Sequence, residues 1–268
     1  MANLQYQHFS DNKAPNATVT VNTGTEDAGY PAANIKDRNP AKPAKLTTTT
    51  GSWVFAFGSA QRVDIAAIIM HNLTAGLEVR IQGNATSSWG APTFNQAFTI
   101  PAYRDDGFPV NPWLDLTGLS GYSASGFQFW RIVVVGVNAA AVAIGEVWLG
   151  ALKRTLTPNI SWGERQQEQR TLVEHSTDFG VDTIFDLGVT RRNLEGDIDA
   201  PDSTRDSLRI WWRDSRGRAN AFLIMPDGAV NDAWMVRWAN PDQEVQFDFF
   251  DRNTVNLAFQ EVSRGLVL

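Results

Sequence analysis

The side chains able to move a proton near neutral pH are three histidines, His8, His71 and His175. None stands four residues from another, and the chain has no cysteine to complete a thiolate metal site or to attack a substrate. There is no Gly-x-Ser-x-Gly elbow and no phosphate-cradling glycine loop. Glycoside hydrolysis by a carboxylate pair needs two carboxyls about 5–9.5 Å apart in a cleft. The acidic residues here fall among turn formers, where carboxylates are ordinarily solvated. Asp105-Asp106-Gly107 and the run Asp197, Asp199, Asp202 offer the oxygen ligands that calcium prefers. The first reads as a turn and the second as a strand entering a helix, so no metal site is assigned. No catalytic residue and no cofactor is assigned either, and the chain is expected to bind rather than transform.

Aromatic side chains in loops are the stronger candidates for contact chemistry. Trp89, Tyr103, Trp113 and Tyr122 lie among the turn formers of residues 83–126. An apolar ring placed there can stack on a sugar or fill a protein interface, or it can plug the end of a core. Asn34 and Arg38, in an earlier loop, could hydrogen-bond a glycan hydroxyl or brace their own turn. Asn34, Arg38, Trp89 and Trp113 are the candidate carbohydrate contacts.

These residues need a β scaffold, and the sequence supplies one. The 268 residues include 21 Gly and 12 Pro, suited to short strands and tight turns, with 15 Phe and 10 Trp for cores. The net charge of −6 gives no basic face for nucleic acid. No apolar run approaches the roughly 18 residues of a membrane span. The first residues lack a secretory pattern, so the sequons at Asn16, Asn72, Asn84 and Asn159 read as chance and a cytoplasmic origin is expected.

Trp53, Phe55 and Phe57 alternate as in a half-buried strand, and residues 62–70 are apolar enough for a strand buried on both faces. Leu77, Val79 and Ile81 alternate toward a core. Residues 1–30 read as an N-terminal arm or edge strand. A boundary near Pro158 divides the chain into residues 1–153 and 154–268. Within residues 154–268 a single helix is expected after Pro201, capped by Asp202 or Ser203 with Asp206. It carries Leu208, Trp211 and Trp212 as its apolar stripe and stops at Gly217. The fold class is mainly β: two β-sandwiches, the second with one helix.

Two resemblances sharpen this. Tyr30-Pro-Ala-Ala-Asn34, the Trp53–Phe57 strand before Gly58-Ser59, Phe129-Trp-Arg-Ile132 and Ile144-Gly-Glu-Val-Trp-Leu-Gly150 together resemble a discoidin-like (galactose-binding-like) jelly roll over residues 28–150. The helix ending Asp214-Ser-Arg-Gly-Arg218, the strand Ala221-Phe-Leu-Ile-Met-Pro226 and the terminal Val255–Val262 resemble, in their order, the tail-tube and distal-tail domain of long-tailed bacteriophages. That second resemblance implies a virion tail-tip or baseplate protein, a homohexameric ring around the DNA channel that lets DNA pass without specific binding. Its partners would be the tail tube protein and tail-tip hub or fibre proteins. Glu164, Glu168, Asp178 and Asp182 would then contribute to an acidic channel lining. The alternative is a carbohydrate-binding adhesion module directed at host-surface glycan.

Overall fold

The structure, a computed structural model, describes residues 4–7, 9–104, 109–151, 153–156, 165–176, 182–226, 232–240, 245–249 and 252–262. The chain divides into two compact units. One holds residues 1–155, 222–234 and 266–268, and the other residues 156–221 and 235–265.

The first unit contains β1 (Gln5–Gln7), β2 (Thr18–Thr23), β3 (Ala44–Lys45), β4 (Gly51–Gln61), β5 (Ile65–His71), β6 (Glu78–Asn84), β7 (Phe94–Thr99), β8 (Trp113–Asp115), β9 (Phe127–Val135), β10 (Ala143–Gly150) and β11 (Lys153–Thr155). The second contains β12 (Arg165–Ser176), β13 (Asp182–Ala200) and α1 (Asp202–Asp214). Next, β14 (Phe222–Met225) belongs to the first unit, and β15 (Trp234–Trp238), β16 (Val245–Phe249) and β17 (Arg252–Glu261) complete the second. The fold is mainly β, as expected, and the first unit is a β-sandwich jelly roll.

Two antiparallel sheets form that sandwich, in the orders β2-β4-β9-β6-β7 and β3-β10-β5-β8. Alternation decides which residues lie between them. Trp53, Phe55 and Phe57 point inward with Val79, Ile81, Trp130, Ile132 and Val134, all buried. Phe94, Phe127 and Trp130 stack edge-on and tilted, with centroids 5.4–6.4 Å apart. Each such aromatic pair adds about 0.5–1.5 kcal/mol beyond its buried area. Gly83 has no side chain because the Phe127 ring fills its place, 2.4 Å from where a Cβ would stand.

The β5 run is buried on both faces, and the reason is a third layer. Ala66 and Ile68 enter the sandwich core, while Ile65, Ala67, Ile69 and Trp148 are equally buried on the opposite face of their sheet. On that face the Gln7 side chain lies 2.6 Å from the place a Cβ of Gly150 would take, so β1 crosses over β10. In its own sheet β1 pairs with β11 on one side and β14 on the other. The N-terminal segment expected as an arm or edge thus supplies an edge strand, β2, and also an interior strand, β1.

Asn111 ties residues 232–234 to the same unit. Its backbone N–H donates to Asp232 Oδ1 at 2.9 Å, its Nδ2 donates to the Ala233 carbonyl at 3.0 Å, and its Oδ1 accepts from the Met70 N–H at 2.8 Å. That last bond holds Met70 in a left-handed conformation, φ 52°. His71 follows it and is fully enclosed. Its Nδ1 accepts from the Leu73 N–H and its Nε2 donates to the Val110 carbonyl, so the ring is neutral and burial lowers its pKa to about 4.

In the second unit the described strands run in the order β15-β17-β13-β12, with β16 also on β17. Arg192 and Glu261 face each other across β13 and β17, both buried, and pair through Nε (3.0 Å) and Nη2 (2.6 Å). The helix expected after Pro201 is α1, with two corrections. Pro201 itself takes the N-cap position, and no side chain caps the first turn. Leu208 and Trp211 are buried, but Trp212 is only half-buried. Trp211 takes the core against Trp238 and Phe259. Gly217, φ 57°, ends the helix by donating its N–H to the Trp212 carbonyl.

Candidate functional site

The candidate carbohydrate contacts separate onto different regions of the first unit. Asn34 sits in a 3-10 turn, is 4% exposed, and donates its Nδ2 to the Pro43 carbonyl at 3.0 Å, so its side chain braces its own loop. Arg38 is exposed and left-handed, φ 64°. Trp113 is half-buried in β8, opposite Ala67. Tyr103 is 42% exposed and donates its hydroxyl to the Leu73 carbonyl, while Tyr122 donates to Asp64 Oδ1 at 2.5 Å. Of the acidic channel candidates, Glu164 and Asp178 lie outside the described residues. Glu168 stands in β12 and Asp182 begins β13.

Beside Arg38 lies a buried carboxyl. Glu146 is 0% exposed, accepts at Oε1 from Asn12 Nδ2 (3.4 Å), and its Oε2 has no hydrogen-bond partner among the described residues. Burial raises its pKa to about 8, reinforced by Asp37 and opposed by Arg38. Glu146 is therefore a neutral acid at pH 7. Among the described residues no group of three or more His, Cys, Asp or Glu is placed to hold a metal ion. Asp105 and Asp106 lie outside the described residues, and Asp197 accepts from Asn256 Nδ2.

Trp89 leads to a more productive place. Asn84, at the end of β6, closes the following loop by donating Nδ2 to the Ser88 carbonyl (2.7 Å) and accepting at Oδ1 from Ala85 N–H and Thr93 Oγ1. The loop turns Trp89 back over the five-stranded sheet, where the Arg131 guanidinium lies 4.5 Å from its ring centroid. A cation on an indole face gains about 0.5–1 kcal/mol when exposed.

Arg131 stands at the middle of a registered row on the outer face of that sheet: Thr20 (β2), Val54 (β4), Arg131 (β9), Gln82 (β6) and Asn95 (β7). Four strand spacings of about 4.8 Å give the row a span of about 19 Å. Hydrogen bonds link Arg131, Gln82 and Asn95 in the row and reach Asn22 beside it. Arg131 Nε donates to Gln82 Oε1 at 2.8 Å, Gln82 Nε2 donates to Asn95 Oδ1 at 2.9 Å, and Arg131 Nη1 donates to Asn22 Oδ1 at 2.8 Å. Ser52 Oγ adds a longer bond to the same Asn22 oxygen, 3.5 Å. Thr20, Asn22 and Asn95 are exposed, and Phe129, two residues before Arg131 on the same face, is half-buried. Val54 and Gln82 are buried beneath this face, so its open side presents Thr20, Asn22, Arg131 and Asn95, flanked by aromatic surface. Reading the sequence for loop aromatics found Trp89 but missed Arg131, Gln82, Asn95 and Asn22. The available signal was Arg131 between Trp130 and Ile132, which alternation turns outward.

No family model matches the chain, and no curated protein matches it. Solved structures do resemble its fold. The lectin domain of lectinolysin, in complex with Lewis B antigen, is 12% identical with TM-score 0.40, covering 53% of this chain and 98% of its own. A chitosan-binding module of a chitosanase/glucanase from Paenibacillus sp. IK-5 is 19% identical with TM-score 0.39, covering 54% of this chain and 98% of its own. A fucose-binding module from Streptococcus pneumoniae is 14% identical with TM-score 0.38, covering 53% and 98%. All three are carbohydrate-binding domains of about half this chain's span, similar to it at the level of fold.

Proposed function

We propose that the first unit is a carbohydrate-binding module that meets its ligand with the outer face of the five-stranded sheet. The observation that carries this reading is the row through Arg131, joined to the indole of Trp89. Sugars offer hydroxyls at close, regular spacing and an apolar ring face. A rigid row of amide and guanidinium groups answers the first, and Trp89 with Phe129 answers the second. The row is held by strands rather than loops, so little ordering is needed on binding. Lewis B antigen, chitosan and fucose are the ligands of the neighbours; the reading rests on this chain's own face. The role is binding without catalysis. A glycan array probed with the full chain, and with Trp89→Ala, tests it: binding should appear and fall at least tenfold in the variant. An array blank for both proteins refutes it.

A second reading, a ring-forming structural subunit of a phage tail tip or baseplate, draws on a separate observation. Among the described residues β12 is a 12-residue strand at the edge of its sheet, paired on one side with the 19-residue β13. A long edge strand is a template for pairing with another chain, and head-to-tail pairing between copies closes a ring. In that setting the ring is a hexamer around the DNA channel of the virion, and the first unit an outer module directed at host glycan. Native mass spectrometry or electron micrographs showing only monomers at micromolar concentration would refute the ring.

A further inference from the structure

The polar row has a direction, and the direction names the ligand. Arginine only donates, so Gln82 and Asn22 must both turn their amide oxygens toward Arg131. Gln82 then has only its Nε2 left for Asn95, which must receive it with its own oxygen. The orientation of the Asn22, Gln82 and Asn95 amides is therefore fixed by the single guanidinium at the centre. All three side-chain oxygens accept a hydrogen bond within this network. Asn22 Nδ2, Arg131 Nη2 and Asn95 Nδ2 make no hydrogen bond among the described residues, so donors predominate around the guanidinium.

The charge points the same way. Both partners of Arg131 are neutral amides, and no carboxylate pairs with it among the described residues. Its neighbours on this face, Glu78 and Arg80, neutralise each other at 2.6 Å. On a chain of net charge −6, this face carries an uncompensated positive charge surrounded by outward N–H groups.

We infer that the ligand of this face is an acidic polysaccharide, with carboxylate or sulfate groups placed to accept from Arg131 Nη2 and the two asparagine amides. The inference rests on the carbohydrate-binding reading above and adds its substrate class. A neutral glycan can accept from these N–H groups through its hydroxyl and ring oxygens, but it leaves the guanidinium charge without a counter-charge. An anionic group is acceptor-only, matches the row, and gains a charge-assisted bond to the guanidinium. A span of about 19 Å favours a chain lying across the strands over a single terminal sugar.

The test uses the full chain and four polymers in affinity electrophoresis and titration calorimetry: polygalacturonate (carboxylate), dextran sulfate, dextran (neutral) and chitosan (cationic). Arg131→Gln removes the charge. Asn95→Asp keeps the oxygen that accepts from Gln82 on an exposed position, but turns an acceptor with a negative charge outward. Binding of polygalacturonate or dextran sulfate, at least tenfold tighter than dextran, weakened tenfold or more in each variant and falling with added salt, is the expected result. The two acidic polymers separate a carboxylate from a sulfate site. Equal or better binding of dextran or chitosan, unaffected by Asn95→Asp, overturns the inference while leaving the carbohydrate-binding reading in place. Binding to none of the four polymers overturns the inference, and the glycan array decides the carbohydrate-binding reading separately. Circular dichroism and melting of both variants identify any loss that comes from unfolding.

Discussion

Replacing Glu146 by Gln should change how stability depends on pH in a way that can be worked out beforehand. The side chain is fully enclosed, so its raised pKa is not diluted by solvent. Burial carries it from 4.5 in the unfolded chain to about 8 in the folded one. The folded state therefore holds a proton that the unfolded state releases, and the stability tied to it is complete below pH 4.5 and lost as pH rises through 8. At about 1.4 kcal/mol per pH unit the loss is about 5 kcal/mol. Glutamine keeps the volume and the oxygen that accepts from Asn12, and removes the titration. His71 acts in the opposite sense. Its pKa falls from 6.5 to about 4 on folding, so stability is complete above pH 6.5 and lost as pH falls through 4. Between pH 4.5 and 6.5 the two contributions oppose each other and nearly cancel. From pH 6.5 to 8 the Glu146 contribution alone falls by about 2 kcal/mol. In Glu146→Gln only the His71 contribution of the two remains, climbing by about 3 kcal/mol from pH 4 to 6.5 and then level. Urea denaturation at half-unit pH steps gives both curves, and their difference cancels every other titrating group. A difference that stays level within about 1 kcal/mol from pH 4.5 to 8 refutes the reasoning.

Two further outcomes are expected from the packing. Arg192→Met leaves Glu261 buried without its guanidinium and should cost about 3–5 kcal/mol, whereas the double variant Arg192→Met/Glu261→Leu recovers most of it in the same denaturation assay. Gly126→Ala should lower stability by at least about 2 kcal/mol, because its φ is 75° and a Cβ would stand 2.1 Å from the Gln61 backbone; Gly90→Ala, with open space around it, is the neutral control in thermal melts.

Local periodicity made much of the scaffold legible. Trp53, Phe55 and Phe57 share an inward face because a strand has a period of two, and no distant residue alters that. The same holds for Val79 and Ile81, and for α1, whose boundaries follow from Pro201 and Gly217. Where the reading of the helix departs from the structure, at Trp212, spacing places the residue on the stripe but does not say how fully the neighbouring elements cover it. The composition, without cysteine and with scattered histidines, removed thiol chemistry with no appeal to geometry.

Tertiary structure alone decided the site. Thr20, Val54, Gln82, Asn95 and Arg131 meet because five strands settle in one register, a non-local choice that no window of sequence contains. The amide orientations follow only once Arg131 is seen between Gln82 and Asn22. Glu146 likewise reads as an ordinary acid in a strand, and becomes a neutral one because β10 is covered on both faces. Side-chain type and spacing state which groups a chain possesses; burial and register determine which of them are charged, which are spent on one another, and which still face a ligand.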